Sequence, residues 1–447
     1  MNIEDFKREI DGMFPCRWAE DFIQDTQNVF NKYIDIVSCL DGVDTAVLDN
    51  VKNLCSSLID VVNLYYDGRK GEAFMTFSTI MNGGADFEGL FNSIGCIDVN
   101  SNEFYYRARK RKIGEEFSIL NMFHIPLNKR GIVSTQRYSS PGYPCLYLGN
   151  SVYSCWEEMR RPVFNNLMFS AYKVKYPFKV FDMRVPNYSD YSPEKLIQTI
   201  NRVPLMLACS FVVKNSSDVF KPEYIIPQML VETIICNNRR ITQSEKSEID
   251  PDVIWGVTYT STHISKDFPY GKKFLENIVL PVVQSSNPSN YCYFLASLFD
   301  ISHPLCYEYE SLKENTTRMF WKEVGQEKTE EEILREQYDQ SKMGYLEDKL
   351  KNSQFETLPH IVIGCPVKGI SLPNVVGVTI NVPVRSSGPF TIEEYNALSL
   401  GKKLPNIVII IDEASILLGE NKEGTQVLKW LAAQGHGVGI HLIIATQ

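Results

Sequence analysis

The fold is decided by two adjacent segments, Gln136-Arg-Tyr-Ser-Ser-Pro-Gly-Tyr-Pro-Cys-Leu-Tyr-Leu-Gly149 and Ser151-Val-Tyr-Ser-Cys-Trp-Glu-Glu158. In the first, an arginine and a tyrosine precede a Pro-Gly turn, and the apolar run that follows predicts a buried strand. The second starts on a serine suited to cap a helix and ends in two glutamates. The two segments therefore predict a strand that is followed at once by a short helix.

Similar short β-rich runs, separated by Pro, Gly and Asn, extend from Phe104 to about Pro281. They predict further strands and interleaved helices, which together give an α+β fold class with a mixed α/β core. The predicted strands are Phe104–Arg109, Cys145–Leu148, Phe178–Asp182, Leu207–Val213 and Val257–Thr260, and the predicted helices are Ser151–Arg160 and Ile225–Asn237.

Residues 1–98 are predicted to form a helical N-terminal domain. Apolar residues recur at three- and four-residue intervals in Trp18–Ile36 and Thr45–Tyr66, and Asn82-Gly-Gly-Ala85 is a turn signal. The first histidine of the chain is His124, so this domain cannot carry histidine-dependent RNase chemistry. A regulatory or packing role is favoured.

Residues 99–355 are interpreted as a second domain, which ends in a helical appendage. Its last helix, Thr329–Leu350, carries Glu/Lys/Arg pairs at helical spacing, which indicate an exposed face. Composition shifts near residue 356. Residues 356–447 are interpreted as a third, α/β segment with strands His360–Ile363 and Ile407–Ile411 and a helix between Thr425 and Gln434.

Bulk composition limits the function classes. A length of 447 residues predicts two or three domains, and a net charge of −9 gives no basic face for nucleic acid. The 11 cysteines include no C-x-x-C pair, which indicates free thiols in a reducing compartment. No basic-then-apolar leader and no membrane-length apolar window is found, so we expect a cytoplasmic protein that does not associate with membranes.

Four segments, in this order, resemble the RES domain family. They are Phe104–Arg109, the two segments that decide the fold, and Gly256-Val-Thr-Tyr-Thr-Ser261. The resemblance implies a fold related to ADP-ribosyltransferases and an enzyme that consumes NAD⁺ as its substrate. Its reaction would cleave the nicotinamide–ribose bond by phosphorolysis, hydrolysis or ADP-ribosyl transfer, often as the toxin of a toxin–antitoxin pair. An antitoxin, or a protein that accepts ADP-ribose, is then an expected partner.

The residues that name the family are Arg, Glu and Ser, and they fall here on Arg107, Glu158 and Ser261. A carboxylate near the ribose would stabilise the oxocarbenium-like transition state more than the ground state, and counting from Tyr147 gives Glu158 this role. Ser261 could hydrogen-bond a phosphate or the nicotinamide carboxamide. No metal is required for this chemistry.

Binding NAD⁺ asks for cations and flat apolar surfaces. Arg107 and Arg137 are candidates for the pyrophosphate, because a guanidinium can donate two parallel hydrogen bonds. Tyr138 and Tyr147 are candidates for contact with the nicotinamide and adenine rings.

The residues near these candidates are interpreted as structural rather than catalytic. Glu157 lies about 100° around the helix from Glu158 and should point elsewhere. Trp156 is interpreted as core packing. His124 is interpreted as a structural or substrate-pocket residue rather than a general base, and His263 is a similar case. Any one of these arginines or glutamates alone would be an ordinary surface ion pair, and only the four ordered motifs together favour an NAD⁺ site.

Residues 404–447 resemble a second family, the FtsK-type DNA-translocating ATPases. Leu404–Glu413 has the form of a Walker B strand, in which Asp412 would help to hold Mg²⁺ and Glu413 would polarise water. Gly439–Gln447 is similar to the next core strand. The chain contains no P-loop of the form GxxxxGK[ST], and Gly364–Gly369 does not replace it.

Three interpretations of this segment stay open: a degenerate module used for docking, half of a split or truncated gene, or a fusion whose sheet a partner completes. Any contact with nucleic acid would be indirect, through this segment. The alternative function for the whole chain is a nucleotide-binding or scaffold component of a DNA-translocase-like or phage-defence assembly, with an inert RES domain.

Overall fold

The computed structural model describes eleven stretches of the chain. They are residues 1–83, 89–93, 95–111, 117–186, 193–243, 253–263, 272–283, 290–307, 329–356, 407–411 and 440–444. The chain divides into two compact units, Met1–Gly377 and Val378–Gln447. The first unit combines helices with a large mixed sheet and has an α+β fold.

The helices of the first unit are α1 (Ile3–Asp11), α2 (Phe22–Ser38), α3 (Thr45–Tyr66), α4 (Lys70–Asn82), α5 (Leu90–Ser93), α6 (Ile119–Met122), α7 (Val152–Glu158), α8 (Pro193–Cys209), α9 (Ile225–Gln243), α10 (Tyr293–Leu298), α11 (Glu330–Asp339) and α12 (Lys342–Lys351). Its strands are β1 (Cys96–Val99), β2 (Phe104–Lys110), β3 (Cys145–Gly149), β4 (Leu167–Val174), β5 (Phe178–Met183), β6 (Ile254–Thr260), β7 (Glu276–Pro281), β8 (Phe299–Ser302) and β9 (Phe355–Glu356).

These nine strands form one sheet in the order β1-β5-β6-β7-β3-β2-β4-β8-β9. Neighbouring strands run antiparallel except β5 and β6, which are parallel. The central strands β6, β7, β3 and β2 come from distant parts of the sequence. Their register sets Tyr259 opposite Asn277, and Gly149 opposite both Asn277 and Tyr106.

Both faces of the sheet are covered. Because successive side chains of a strand point to opposite faces, alternate residues belong to different cores. Val257 and Val279 belong to a core cluster that also contains buried residues of α1–α4, α8 and α9. Ile278 and Leu280, one position out of phase, belong to a second cluster together with α10 and β8. The N-terminal helices therefore share one hydrophobic core with α8 and α9.

Local signals explain where the N-terminal helices begin. The Asp21 side chain accepts a hydrogen bond from the backbone N–H of Gln24 and caps α2, and Asp44 caps α3 through Val47. The hydroxyl of Tyr33 on α2 donates to the carbonyl of Ile200 on α8 over 2.7 Å. This buried contact ties the N-terminal helices to the rest of the unit.

One predicted strand is wrong. The run Leu207–Val213 was expected to be β, but α8 continues to Cys209 and residues 210–213 have no regular structure. The apolar residues Leu205, Leu207 and Phe211 are fully buried. A short, wholly apolar run fits a buried helix as well as a strand, so periodicity could not distinguish them.

The appendage also differs from its prediction. The single helix Thr329–Leu350 is two helices, because Ser341 caps a new helix through the N–H of Gly344. Its face is not wholly exposed either, since Tyr338, Leu346, Glu347 and Leu350 are buried. Leu346 and Leu350 pack with Val152 and Cys155 of α7, so the appendage is part of the first unit.

In the second unit, β10 (Ile407–Ile411) and β11 (Ile440–Ile444) form a parallel pair, with Ile407 opposite Ile440 and Ile411 opposite Ile444. The strand predicted at Ile407–Ile411 is thus confirmed. The predictions for His360–Ile363, for the helix between Thr425 and Gln434, and for Asp412 and Glu413 lie outside the described residues.

Candidate active site

The central strands and the end of α7 surround a cavity of about 390 Å³, called the cleft below. Four of the residues singled out from the sequence line it, and they come from separate elements. These residues are Arg107 on β2, Arg137 before β3, Tyr147 on β3 and Glu158 at the end of α7. Two others, Tyr138 and Ser261, are buried and are not among the lining residues.

The junction of β3 and α7 fixes the position of Glu158. Ser151 caps α7 by accepting the backbone N–H of Ser154 at 2.9 Å. Gly149 precedes this cap, and a Cβ at that position would lie 2.0 Å from Ser154 Oγ and 2.9 Å from Cys155 Sγ. A glycine at this position allows α7 to pack closely against the end of β3. The short helix therefore begins just after the strand, and its last residue, Glu158, lies at the cleft.

The Glu158 carboxylate is held by a residue of β7, the strand that pairs with β3. Asn277 Nδ2 on β7 donates to Glu158 Oε1 over 2.7 Å, and Asn277 is 4% exposed. An amide donor that is itself packed in a sheet limits the rotamers of the carboxylate it contacts. Glu158 therefore has a defined position at the cleft surface.

Glu157 faces away from this interaction, as the helical spacing predicted. Its carboxylate accepts the N–H of Arg161 Nε, shared between the two oxygens at 2.9 and 3.0 Å, a hydrogen bond from Arg161 Nη2 at 2.5 Å, and one from the hydroxyl of Tyr153. Glu157 is buried while Arg161 is exposed. This ion pair braces the end of α7, where Arg160 and Arg161 both adopt positive φ angles of 63° and 51°.

Arg107 presents cationic N–H groups at the cleft. Its Nη1 donates to the carbonyl of Tyr147 over 3.2 Å, and its buried Nε has no hydrogen-bond partner in the described part of the chain. Burial lowers the pKa of Arg107, but an arginine side chain stays protonated at physiological pH. A buried donor without a partner is costly, and an anionic ligand would offset that cost.

Arg137 is held by the protein itself. Its Nη1 donates to the carbonyl of Cys209 at 2.9 Å and its Nη2 to Thr262 Oγ1 at 2.8 Å. The guanidinium also lies over the ring of Tyr224, 5.5 Å from its centroid. Arg137 therefore adds a fixed positive charge to the cleft wall, with two of its five N–H donors already engaged.

Three tyrosines line the cleft, but only one of the two that were predicted is among them. Tyr147 is in place, and its hydroxyl lies 2.8 Å from Ser139 Oγ. Tyr138 is 1% exposed, and its ring packs at 45° on Tyr259, with centroids 4.7 Å apart. Tyr259 and Tyr224, which sequence reasoning did not select, line the cleft.

Ser261 makes its hydrogen bonds with backbone groups of the protein. Its Oγ accepts the N–H of His263 at 3.1 Å, and its own N–H donates to the carbonyl of Leu275 at 2.8 Å. The side chain that reaches the cleft from this turn is that of His263. Burial lowers the pKa of His263, and the negative charge of Glu158 opposes that shift.

His124 lies in the core, and the cleft lining does not include it. Its Nε2 accepts the backbone N–H of Cys292 at 2.8 Å, so Nδ1 carries the proton and faces the carbonyl of Ile125. Burial lowers the pKa of His124 to about 4. Of the two interpretations left open, the structural one fits these contacts.

Within the described ranges, no three His, Cys, Asp or Glu side chains are grouped so that they could bind a metal ion. None of the helices in these ranges has the length and apolar character needed to cross a bilayer.

Comparison with known proteins gives one informative relative. The chain is 31% identical over 309 residues to a Bacillus subtilis (strain 168) protein described as "Putative toxin YopC". The alignment covers 63% of this chain and 65% of that protein, just under two thirds of its length. No protein-family model matches the chain. No solved structure matches it either.

Proposed function

We propose that this protein is an NAD⁺-consuming enzyme that cleaves the bond between nicotinamide and ribose. The observation that carries the proposal is the composition of the cleft, where Glu158 faces the same cavity as Arg107 and Tyr147. These are a carboxylate, a buried guanidinium with an unpartnered N–H, and an aromatic ring. Together they match the oxocarbenium, pyrophosphate and ring systems of NAD⁺.

The carboxylate has the central chemical role. When the C1″–N1 bond breaks, its electron pair leaves with nicotinamide and positive charge develops on the ribose. Glu158 would stabilise that charge, and the hydrogen bond from Asn277 holds the carboxylate in place before the reaction. Because the interaction strengthens as the charge develops, it lowers the barrier rather than only increasing substrate affinity.

The arginines would hold the substrate. Arg107, which lines the cleft and whose Nη1 is its one side-chain nitrogen hydrogen-bonded to the described part of the protein, is suited to the pyrophosphate, and Arg137 supplies a fixed charge nearby. Tyr147 and Tyr259 offer ring faces for nicotinamide or adenine. Ser261 is assigned no contact with the ligand, since its hydroxyl accepts the backbone N–H of His263 inside the protein.

The biological role we infer is that of a toxin. This inference rests on the similarity to the Bacillus subtilis protein, whose description names a toxin. Depletion of NAD⁺ in the producing cell would be harmful, which requires a means of restraint such as an antitoxin.

The test is to incubate the purified full chain with NAD⁺, with and without phosphate, and to measure free nicotinamide by chromatography. We expect release by the wild type, and a loss in kcat of about 100- to 1,000-fold in Glu158→Gln, the range for removing one transition-state electrostatic contact. Glu9→Gln, on the exposed face of α1, is the matched control. Absence of nicotinamide from wild type in both buffers, or an active Glu158→Gln, would contradict the proposal.

A second candidate function is favoured by one observation, the parallel register of β10 and β11. A Walker B strand and the next core strand of an ATPase would pair in this way. If the segment binds nucleotide, Mg²⁺-dependent ATP binding measured by calorimetry should be lost in Asp412→Ala. Unchanged binding in that variant, or none in wild type, would remove this candidate.

A further inference from the structure

A second cavity of about 370 Å³, called the groove below, adjoins the cleft. The two cavities share two lining residues, Arg160 and His263. The remaining lining residues of the groove are Arg17, Glu157, Arg161, Val212 and Thr262. His263 therefore lies at the junction, with the substrate cleft on one side and a separate route from solvent on the other.

The turn after β6 sets this position. Ser261 is buried and accepts the N–H of His263 at 3.1 Å, while Thr262 Oγ1 accepts Arg137 Nη2 at 2.8 Å. Ser261 thus stabilises the turn, and Thr262 positions Arg137 of the cleft. His263, the next residue, lies at the junction of the two cavities. These two hydrogen bonds hold the turn that carries His263 at the junction.

The surroundings of His263 govern its protonation. Burial has the largest effect and lowers the pKa from its ordinary value of 6.5. Arg137 and Arg160 lower it further, whereas Glu158 and Glu157 of α7 raise it. The net shift is downward, so the imidazole is neutral at pH 7 and can accept a proton.

We propose that His263 is the general base that deprotonates the acceptor, and that the acceptor is an O–H nucleophile, water or an alcohol, which arrives through the groove. This inference rests on the proposed function. The acceptor oxygen bonds to ribose C1″ while the C1″–N1 bond breaks and its electron pair leaves with neutral nicotinamide. The acceptor proton passes to the unprotonated ring nitrogen of His263 and then to solvent.

Phosphate is the alternative acceptor that must be distinguished from water or an alcohol, because three arginines line the groove and would attract an anion. A phosphate dianion brings its own negative charge and can attack without a base. A neutral histidine at the junction is useful only for a nucleophile that must lose a proton. One of those three arginines, Arg161, already forms an ion pair with Glu157, so part of the positive charge of the groove is neutralised within the protein.

The experiment uses the full chain as wild type, His263→Gln, His263→Ala and the control His303→Gln, since His303 is an exposed residue that pairs with Glu356 and does not line the cleft. NAD⁺ turnover is followed by product mass in water, in dilute methanol and in phosphate. We expect ADP-ribose, with its 1″-methyl derivative in methanol, and a kcat about 100- to 10,000-fold lower in His263→Gln with little change in KM.

Two further readouts separate base catalysis from a structural role. The kcat of wild type should fall as the pH is lowered below 6.5, where His263 becomes protonated, and this acid limb should be absent in His263→Gln. Added imidazole should restore part of the activity of His263→Ala, as expected when a missing base is supplied from solution.

Three outcomes would overturn the inference. An active His263→Gln that keeps the acid limb removes His263 as the base. A wild-type product that is mainly ADP-ribose 1″-phosphate, formed at a rate that does not depend on His263, makes phosphate the acceptor. Wild type that releases no nicotinamide removes the proposed function and this inference together, and it differs from the first two outcomes because no bond is cleaved.

Discussion

At the scale of single residues, Asn277 determines how well the cleft is organised. It lies on β7, far along the chain from α7, and its amide makes a 2.7 Å hydrogen bond with Glu158. It is buried, so the sheet around it limits the positions that its amide can take. We regard Asn277 as a positioning residue, because it acts through the carboxylate of Glu158.

Replacing Asn277 with alanine should therefore reduce turnover. A hydrogen bond to a charged group contributes about 1.5 to 3 kcal/mol. At about 1.4 kcal/mol per factor of ten, its loss should lower kcat for nicotinamide release by about 10- to 100-fold, with a smaller effect on KM. Asn277→Asp should be worse, since it sets a second negative charge against Glu158. Equal kcat in wild type and Asn277→Ala would show that the contact has no positioning role.

Sequence reasoning found the cleft residues that lie in local motifs. Arg107, Arg137, Tyr147 and Glu158 each stand beside a turn, strand or helix signal, and all four line the cleft. Asn277 lies in no such motif, and Tyr259, although it is part of the Gly256–Ser261 segment, was not selected there; the two meet only through the register of β6 with β7. For Ser261 and Tyr138, the motifs indicated the residue type but not the direction of the side chain.

At the scale of elements, α7 is held at both ends. Its first backbone N–H, on Val152, donates to Glu347 Oε1 of α12 over 2.8 Å, and the hydroxyl of Tyr338 donates to the same carboxylate. Its last residue is Glu158, held by Asn277. A displacement of α12 would therefore shift the whole short helix and the carboxylate it carries.

Glu347 should also make stability depend on pH. Burial raises its pKa above the ordinary value of 4.5, although the hydrogen bonds from Tyr338 and Val152, and then the charges of Lys351 and Arg335, partly oppose the shift. The folded protein thus holds the proton more tightly than the unfolded chain. The stabilisation from this proton is complete below about pH 4.5 and is lost as pH rises through the folded-state pKa.

The measurement is the free energy of unfolding in urea across that pH range, for wild type and Glu347→Gln. Because glutamine keeps the shape and carries no charge, the difference should move in favour of the variant as pH rises. Glu347→Ala, which leaves the N–H of Val152 and the hydroxyl of Tyr338 without their acceptor, should be less stable than Glu347→Gln by about 1 to 3 kcal/mol at every pH, since neither variant titrates at this position. A difference between wild type and Glu347→Gln that stays constant with pH would refute this account.

Elements with strong periodic patterns were predictable. The helix predicted at Thr45–Tyr66 has those bounds in the structure, and the strand predicted at Phe104–Arg109 differs from β2 by one residue. The appendage was not predictable in the same way. Its charged sequence hides the burial of Tyr338 and Glu347, which depends on contact with α7, a helix nearly 200 residues earlier in the chain.

At the scale of the whole molecule, the N-terminal helices and the sheet form one unit. Buried residues of α2 and α3 lie in the same core cluster as α8, α9 and the β6 residue Val257. Trp18 Nε1 also donates to the buried carboxylate of Glu223 at 2.7 Å. We expect these regions to unfold together.

Phe30→Ala tests this expectation. Phe30 on α2 is 2% exposed, and removing such a ring costs about 3 to 5 kcal/mol. Hydrogen exchange followed by mass spectrometry should show that peptides from α3 and from β6 lose protection by the same free energy. Loss confined to α1–α4 would mean that the N-terminal helices are an independent domain.

The contact between Glu347 and Val152 has a consequence for synthesis of the protein on the ribosome. Every residue assigned to the cleft, from Arg107 to Asn277, is translated before Glu347. At about 5 to 20 residues per second, the 70 residues that separate Asn277 from Glu347 take about 4 to 14 seconds to add. During this interval the nascent chain has a cleft whose helix is not yet clamped. The proposed enzyme would stay immature until its appendage emerges, and the proposed antitoxin would have that time to bind first.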